Sequence, residues 1–231
     1  MDLLSIHIPK AAGNAVRRLL VERYGAGVRF LYHDFRPNVD YERILERRGP
    51  AGAVHGHVPL APLRERYPEA RTMVWFRHPV ARVVSYAWYW RRQRRHGNPN
   101  HDRFLDEGAD PVWLASLLKD EVAGYLAGTS VDELDFVGVV ERFEDDAPRF
   151  ADWLEAEGLP SRRWRRPGDR WARAMLRAET LVAPVANRNR AKGTLAPEVH
   201  ARIEAVLADE MAIYERALER SVSSRAGRSR S

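Results

Sequence analysis

Short apolar runs alternate along this chain with longer stretches in which apolar positions recur every third or fourth residue. The short runs at Leu3–Ile8, Val28–Tyr32, Ala51–His57, Thr72–Phe76 and Phe136–Val140 predict strands. The longer patterns predict helices over Ala12–Tyr24, Tyr41–Arg47, Pro79–Arg94 and Asp145–Glu157, and a long one over Pro197–Arg220. In the first helix Ala12, Ala15, Val16, Leu19, Leu20 and Tyr24 fall on one face. From Pro79 the stripe is Val80, Val83, Val84, Ala87 and Trp88; in the last helix it is Val199, Ile203, Val206, Leu207, Tyr214 and Leu218, with Pro197 in the first turn. The segments 96–111 and 158–170, rich in Pro, Gly and charge, read as irregular. Strands that alternate with helices imply an α/β class: a mostly parallel sheet covered on both faces, with ligands bound at the carboxyl ends of its strands.

Length adds that 231 residues suit one domain, expected over 1–220, followed by a disordered basic tail over 221–231 rich in Ser, Arg and Gly. The absence of cysteine excludes disulfides, thiol nucleophiles and cysteine-ligated zinc. The apolar run from Leu3 is too short for a secretion signal and no stretch approaches a membrane span, so a cytoplasmic location is the expectation. The net charge of +6 is unevenly placed. Arg91, Arg92, Arg94 and Arg95 form one cluster; Arg162, Arg163, Arg165, Arg166 and Arg170 surround Trp164 in another. Each reads first as a solvated face and second as a rim for an anionic substrate or nucleic acid.

Three strand ends carry candidate chemistry. The first is Ile6-His7-Ile8-Pro9-Lys10-Ala11-Ala12-Gly13-Asn14-Ala15, an apolar strand that turns into a helix. A helix start exposes backbone N–H groups and partial positive charge, Lys10 adds a full charge, and Gly13 admits close approach to the backbone. A phosphate or sulfate group suits that cup, although a plain strand-to-helix turn would use the same residues. It differs from the usual ATP-binding loop, in which Lys-Ser/Thr follows a glycine; here the lysine comes first and no hydroxyl waits for magnesium. The second is Val74–Tyr86, where Arg77 ends a strand and Ser85 lies about two turns into the next helix. A guanidinium and a hydroxyl suit a terminal phosphate, and a structural ion pair is the other reading of Arg77. The third is Val54-His55-Gly56-His57, whose two histidines share one face of a strand. A general base, a metal-binding pair and a structural pair all remain open there.

Together, IHIPKAAGNAV, VHGHVPL and VWFRHPVARVVSY resemble the sulfotransferases that use 3′-phosphoadenosine 5′-phosphosulfate, most nearly the carbohydrate branch that includes heparan sulfate 2-O-sulfotransferase. Phe136–Glu144, the triplet Asn187-Arg188-Asn189 and a late helix with Asp209 and Tyr214 extend the likeness over most of residues 3–218. The resemblance implies a three-layer, P-loop-like fold and that phosphosulfate as cofactor, with no metal. It implies that Lys10, Ala11, Ala12, Gly13, Asn14 and Ala15 form the 5′-phosphosulfate loop, with Lys10 at the bridging oxygen. Arg77 and Ser85 match the grip on the 3′-phosphate, and His57, with His55 beside it, matches the catalytic base. This chain departs from the family at Ala11, Asn14 and Ala15, which stand where hydroxyl residues are usual, and at His78, which stands where an acid is usual.

The function so implied is sulfuryl transfer to an acceptor hydroxyl, on a saccharide or small metabolite, with carbohydrate sulfation as the first expectation and no nucleic-acid partner. Trp90 and Trp164, beside arginines, are the candidates for stacking on a sugar, whereas Trp88 fits a buried stripe. The competing readings are a nucleotide-dependent kinase of the same broad fold and a non-catalytic nucleotide- or RNA-binding module. The missing Gly-Lys-Ser/Thr speaks against the first, and the paired histidines against the second.

Overall fold

The structure is a computed structural model, and it describes residues 1–32, 52–92, 99–106, 108–159 and 195–226. Five strands, β1 (Leu3–Ile6), β2 (Val28–Leu31), β3 (Ala53–Gly56), β4 (Arg71–Phe76) and β5 (Phe136–Val139), form one sheet in the order β2-β3-β1-β4-β5. Every pairing is parallel. All residues of β1, β3 and β5 are buried, which explains why these strands read as near-continuous apolar runs. Each strand lies within one of the predicted runs or extends it by one residue, Arg71.

Alternation along β1 sends Leu3, Ser5 and His7 to one face and Leu4, Ile6 and Ile8 to the other. The first face packs beneath α1 (Gly13–Tyr24) and α7 (Phe143–Ala156) through Leu3, Val16, Leu20, Tyr24, Trp75, Phe136, Phe150 and Trp153. The second packs beneath α2 (Leu60–Arg66), α6 (Glu121–Leu126) and α9 (Ala208–Ala226) through Ile6, Leu60, Leu63, Val74, Leu126, Tyr214 and Ala217. This is the three-layer α/β fold expected. A separate helical cluster joins α3 (Pro79–Arg92), α4 (Pro99–Asp106), α5 (Pro111–Leu118) and α8 (Pro197–Val206) around Val83, Trp90, Phe104, Leu114 and Ile203.

Several expectations change. The segment 96–111 is not wholly irregular, because α4 occupies 99–106; His101 and Phe104 anchor it, each fully buried. The last helix is two: α8 ends at Val206, Leu207 turns inward, and α9 then presents Glu210, Tyr214, Ala217 and Ser221 to the sheet side. α9 runs on to Ala226, past Ser221, where the tail is expected to begin. The Ser221 hydroxyl is buried and donates to Asp146, whose carboxylate also accepts from the Val139 N–H at 2.9 Å. The predicted helix over 41–47, Asn187–Asn189, Arg94, Arg95 and the arginine cluster around Trp164 lie outside the described residues. No helix among the described residues is long and apolar enough to cross a membrane.

One buried polar cluster ties distant parts together. Arg82 on α3 is fully buried and pairs with Glu121 at the start of α6 and with Glu210 on α9. Glu210 also accepts from the Val122 N–H at 3.1 Å, and Tyr86 donates to Glu121 at 3.2 Å. Burial pushes the Glu121 carboxyl up, and Arg82 works against that shift.

Candidate functional site

The chain leaves β1 at the middle of the sheet, between β3 and β4, where strand order reverses and parallel sheets open a crevice. The loop from His7 to Ala12 rims that crevice. Lys10 and Ala12 both take left-handed backbone conformations, with φ of 66° and 57°, and flank Ala11, which does not. Each such residue without a glycine's freedom costs about 1–2 kcal/mol, so surrounding contacts must hold it. The Ala11 N–H donates to the Ile8 carbonyl at 3.1 Å, the Ala11 side chain is buried, and Arg77 Nη1 donates to the Lys10 carbonyl at 3.0 Å. The φ sign alternates along Lys10, Ala11 and Ala12, the kind of backbone pattern that gathers N–H groups into a concavity for anions, with the Ala11 N–H already given to Ile8. The Gly13 and Asn14 N–H groups open α1 and have no intrahelical carbonyl to bond.

Lys10 and Arg77 thus meet at this loop, as expected. The Lys10 ammonium rests 3.9 Å from the centroid of the Tyr89 ring, a cation–π contact from α3. Ser85 lies one helical turn before Tyr89 and is buried. Desolvation lowers the Arg77 pKa and the nearby Glu141 charge opposes this, so Arg77 is a guanidinium held mostly out of water. Glu141 itself accepts from the His78 N–H at 3.2 Å and from Tyr214 at 3.4 Å. Of the residues matched in the late helix, Tyr214 therefore reaches the strand ends, whereas Asp209 is exposed and its neighbour Glu210 is the buried acid.

On the α1 side of the sheet, three strands build a ladder of rings. Ser5 faces His55 and Phe30 in the strand register, and one rung further His7 joins His57 and Tyr32. His7 stacks on His55 with ring centroids 5.1 Å apart and meets His57 edge-on at 4.4 Å. Tyr32 lies edge-on to His57 at 5.0 Å, and Tyr125 of α6 edges the other side at 6.2 Å. The Arg17 guanidinium from α1 covers Tyr32 and Phe30 at 4.5 and 5.0 Å. His55 is 1% exposed and shares a 2.7 Å hydrogen bond with Ser5 Oγ. His57 is half-buried at the open end of the ladder.

His7 is the residue that sequence reasoning missed. Its signal was the shared two-residue spacing of Ser5/His7, Phe30/Tyr32 and His55/His57, which predicts side-by-side rungs once the strands are parallel neighbours. Gly13 also gains a different meaning. A Cβ there would sit 1.8 Å from His7 Cε1, so the glycine makes room for the histidine ring. Trp88 and Trp90 exchange their expected places: Trp90 is buried edge-on against His101 and Phe104, each at 5.5 Å, while Trp88 is half-buried with Arg92 at 4.6 Å over its ring. Trp90 is therefore core, and Trp88 is the more exposed of the two. Among the described residues, no group of His, Asp and Glu side chains is arranged to hold a metal ion.

Burial governs the charge of the ladder. His55 is lowered to about 3 by desolvation, with the charges of Arg17 and His57 adding; hydrogen bonding to the Gly13 backbone works against the shift. His7 is lowered well below its ordinary value, first by desolvation and then by His55, His57, Arg17 and Lys10. Both rings are neutral in the folded protein and titrate near 6.5 when it unfolds. The unfolded chain then binds more protons as pH falls below that value, so stability present at neutral pH is lost progressively toward the folded values. Unfolding free energy is expected to drop by about 2–3 kcal/mol between about pH 7 and about pH 5.5 from these two groups together. Urea midpoints measured at the two pH values check this, and equal midpoints would refute the neutral burial of both rings.

No family profile matches the chain, and no curated protein matches it by sequence. Solved structures do. A mouse sulfotransferase, SULT7A1, complexed with PAP aligns over 94% of this chain and 88% of its own, with a TM-score of 0.53 and 15% identity. A sulfotransferase from Alicyclobacillus acidocaldarius aligns over 90% of this chain and 95% of its own, with a TM-score of 0.40 and 16% identity. The α/β fold of this chain, with its parallel sheet and flanking helices, is one that the mouse sulfotransferase shares.

Proposed function

We propose that this protein transfers a sulfuryl group from 3′-phosphoadenosine 5′-phosphosulfate to the hydroxyl of an acceptor. The observation that carries the reading is the alternating-hand loop at Lys10–Ala12 in front of α1, pinned by Arg77 and set one strand away from His57. Those residues fit such a donor. The nest and the α1 N-terminus offer N–H groups to a 5′-phosphate, without the hydroxyls that Ala11, Asn14 and Ala15 lack. The mouse structure that shares the fold was solved with PAP, which accords with this choice of donor. When bound, the donor supplies an activated sulfuryl group whose leaving oxygen belongs to that 5′-phosphate.

Lys10 and the α1 N-terminus stabilise negative charge as it grows on the leaving oxygen. His57 accepts the acceptor hydroxyl's proton while the hydroxyl oxygen bonds to sulfur and the old sulfur–oxygen bond breaks. His55, fully enclosed and bonded to Ser5, supports the ladder rather than meeting the acceptor. Arg77 and Ser85 hold the 3′-phosphate. The acceptor is a saccharide or small-metabolite hydroxyl, and Trp88, capped by Arg92, is the aromatic face suited to a sugar ring.

Calorimetry tests the reading: 3′,5′-adenosine diphosphate should bind without magnesium and more tightly than ATP, and labelled phosphosulfate should label a member of a hydroxyl panel. Failure of both would overturn it. Ser85→Ala should weaken 3′,5′-adenosine diphosphate and leave AMP unchanged. Arg77→Ala should weaken both, because it also frees the Lys10 carbonyl, but the 3′-phosphorylated ligand by a further 1.5–3 kcal/mol or so. Equal losses for both nucleotides in both variants would remove these residues from the 3′-phosphate.

A further inference from the structure

We propose that His7 is a positioning residue that ties the anion loop to the base: its ring fills the gap left by Gly13 and turns its edge to His57, so that helix start and proton acceptor take one relative position. This inference rests on the sulfotransferase reading for its consequence and on geometry for its substance. The ring is boxed on four sides. His55 lies flat against it at 5.1 Å, His57 and Tyr32 meet it near perpendicular at 4.4 and 5.6 Å, and Gly13 closes the fourth side.

Neither ring nitrogen of His7 has a hydrogen-bond partner among the described residues, and both are closed to solvent. With both nitrogens covered, the ring is placed to position its neighbours rather than to exchange a proton with an acceptor, which separates its role from that of His57. What it offers is shape. In a close-packed site a rigid ring transmits position, because its neighbours have no free volume in which to relax. Displacement of a reacting group by about 1 Å can lower turnover by about 10²-fold. Gly13 belongs to the loop and His57 to the next strand, and His7 touches both.

The test compares wild type with Gly13→Ala, His7→Ala and the double variant His7→Ala/Gly13→Ala. Three quantities are read: affinity for 3′,5′-adenosine diphosphate, the histidine ring resonances of His57 by NMR, and kcat and KM for labelled phosphosulfate with the best acceptor of a hydroxyl panel. Gly13→Ala should lose affinity by about tenfold, because its Cβ enters the space of a ring that has nowhere to go. The double variant should regain that affinity, since the added methyl then fills the vacated space. His7→Ala and the double variant should both keep a near-normal KM, lose kcat by about 10–100-fold, and show altered His57 resonances. Unaltered His57 resonances with wild-type kcat in His7→Ala would overturn the proposal, as would a double variant that binds no better than Gly13→Ala. Were wild type to bind no 3′,5′-adenosine diphosphate, the sulfotransferase reading would fall; His57 resonances would then decide alone, altered ones supporting the coupling and unaltered ones overturning it.

Discussion

Lys10→Ala is expected to lower sulfuryl transfer at saturating phosphosulfate by about 10²–10³-fold, the loss typical of removing one donor to developing anionic charge. The fold should survive, because the Lys10 side chain contacts the outer face of α3 at Tyr89 and lies outside the core clusters. Alanine also accepts the left-handed conformation no worse than lysine does, so the loop that Arg77 pins through the residue 10 carbonyl remains. The deficit should therefore appear in kcat more than in affinity for 3′,5′-adenosine diphosphate, since the charge that Lys10 meets grows on the way to the transition state. Single-turnover kinetics with an unchanged thermal melt check this. Near-normal kcat would take Lys10 out of the chemistry and leave it as an electrostatic lure.

A loss of similar size is expected from His57→Ala, about 10²–10⁴-fold in turnover with affinity for 3′,5′-adenosine diphosphate retained. The contrast with His55 gives the prediction its edge. His57 ends the ladder half-buried between Tyr32 and Tyr125, whereas His55 is enclosed, neutral and bonded to Ser5. His57→Ala should therefore reduce rate with little change in melting temperature. His55→Ala should reduce both, because it empties a packed position beneath α1 and strands the Ser5 hydroxyl. A His57→Ala protein with wild-type turnover would refute the base, and a His55→Ala protein with normal stability would refute the packing account.

The strands and α1, α3 and α7 were legible because each has one unambiguous period. Leu3–Ile6 and its fellows are too short and too apolar for amphipathic helices, and Val16, Leu20 and Tyr24 keep helical spacing. What escaped reading did so for physical reasons. The segment that becomes α4 carries Pro99, Asn100, His101 and Asp102, residues of loops by composition; its helix forms because tertiary packing buries His101 and Phe104. The break at Leu207 contains no glycine or proline, since two successive helices simply turn their stripes toward different neighbours. At the candidate site, Lys10, Arg77 and His57 were legible because charged and titratable residues at strand ends are conspicuous. His7 was not, because one histidine in a strand-to-loop run has no meaning until its neighbour in space, His57, is known. In the sequence Gly13 reads as a point of close approach to the backbone, yet the contact that demands it comes from a side chain.

The Arg82 cluster bears on how such a chain is made. Arg82 leaves the ribosome long before Glu210, the carboxylate that lies 128 residues further on. Until that acid arrives, closing the helical layer would leave the Val122 N–H and one edge of the Arg82 guanidinium without their carboxylate, about 1–3 kcal/mol for each unmet group, even though Glu121 already balances the charge. Set against the roughly 5–15 kcal/mol that holds a whole domain together, that weakens any packing of this layer before α9 joins it. Closing that layer therefore depends on α9, which brings Glu210 to both groups.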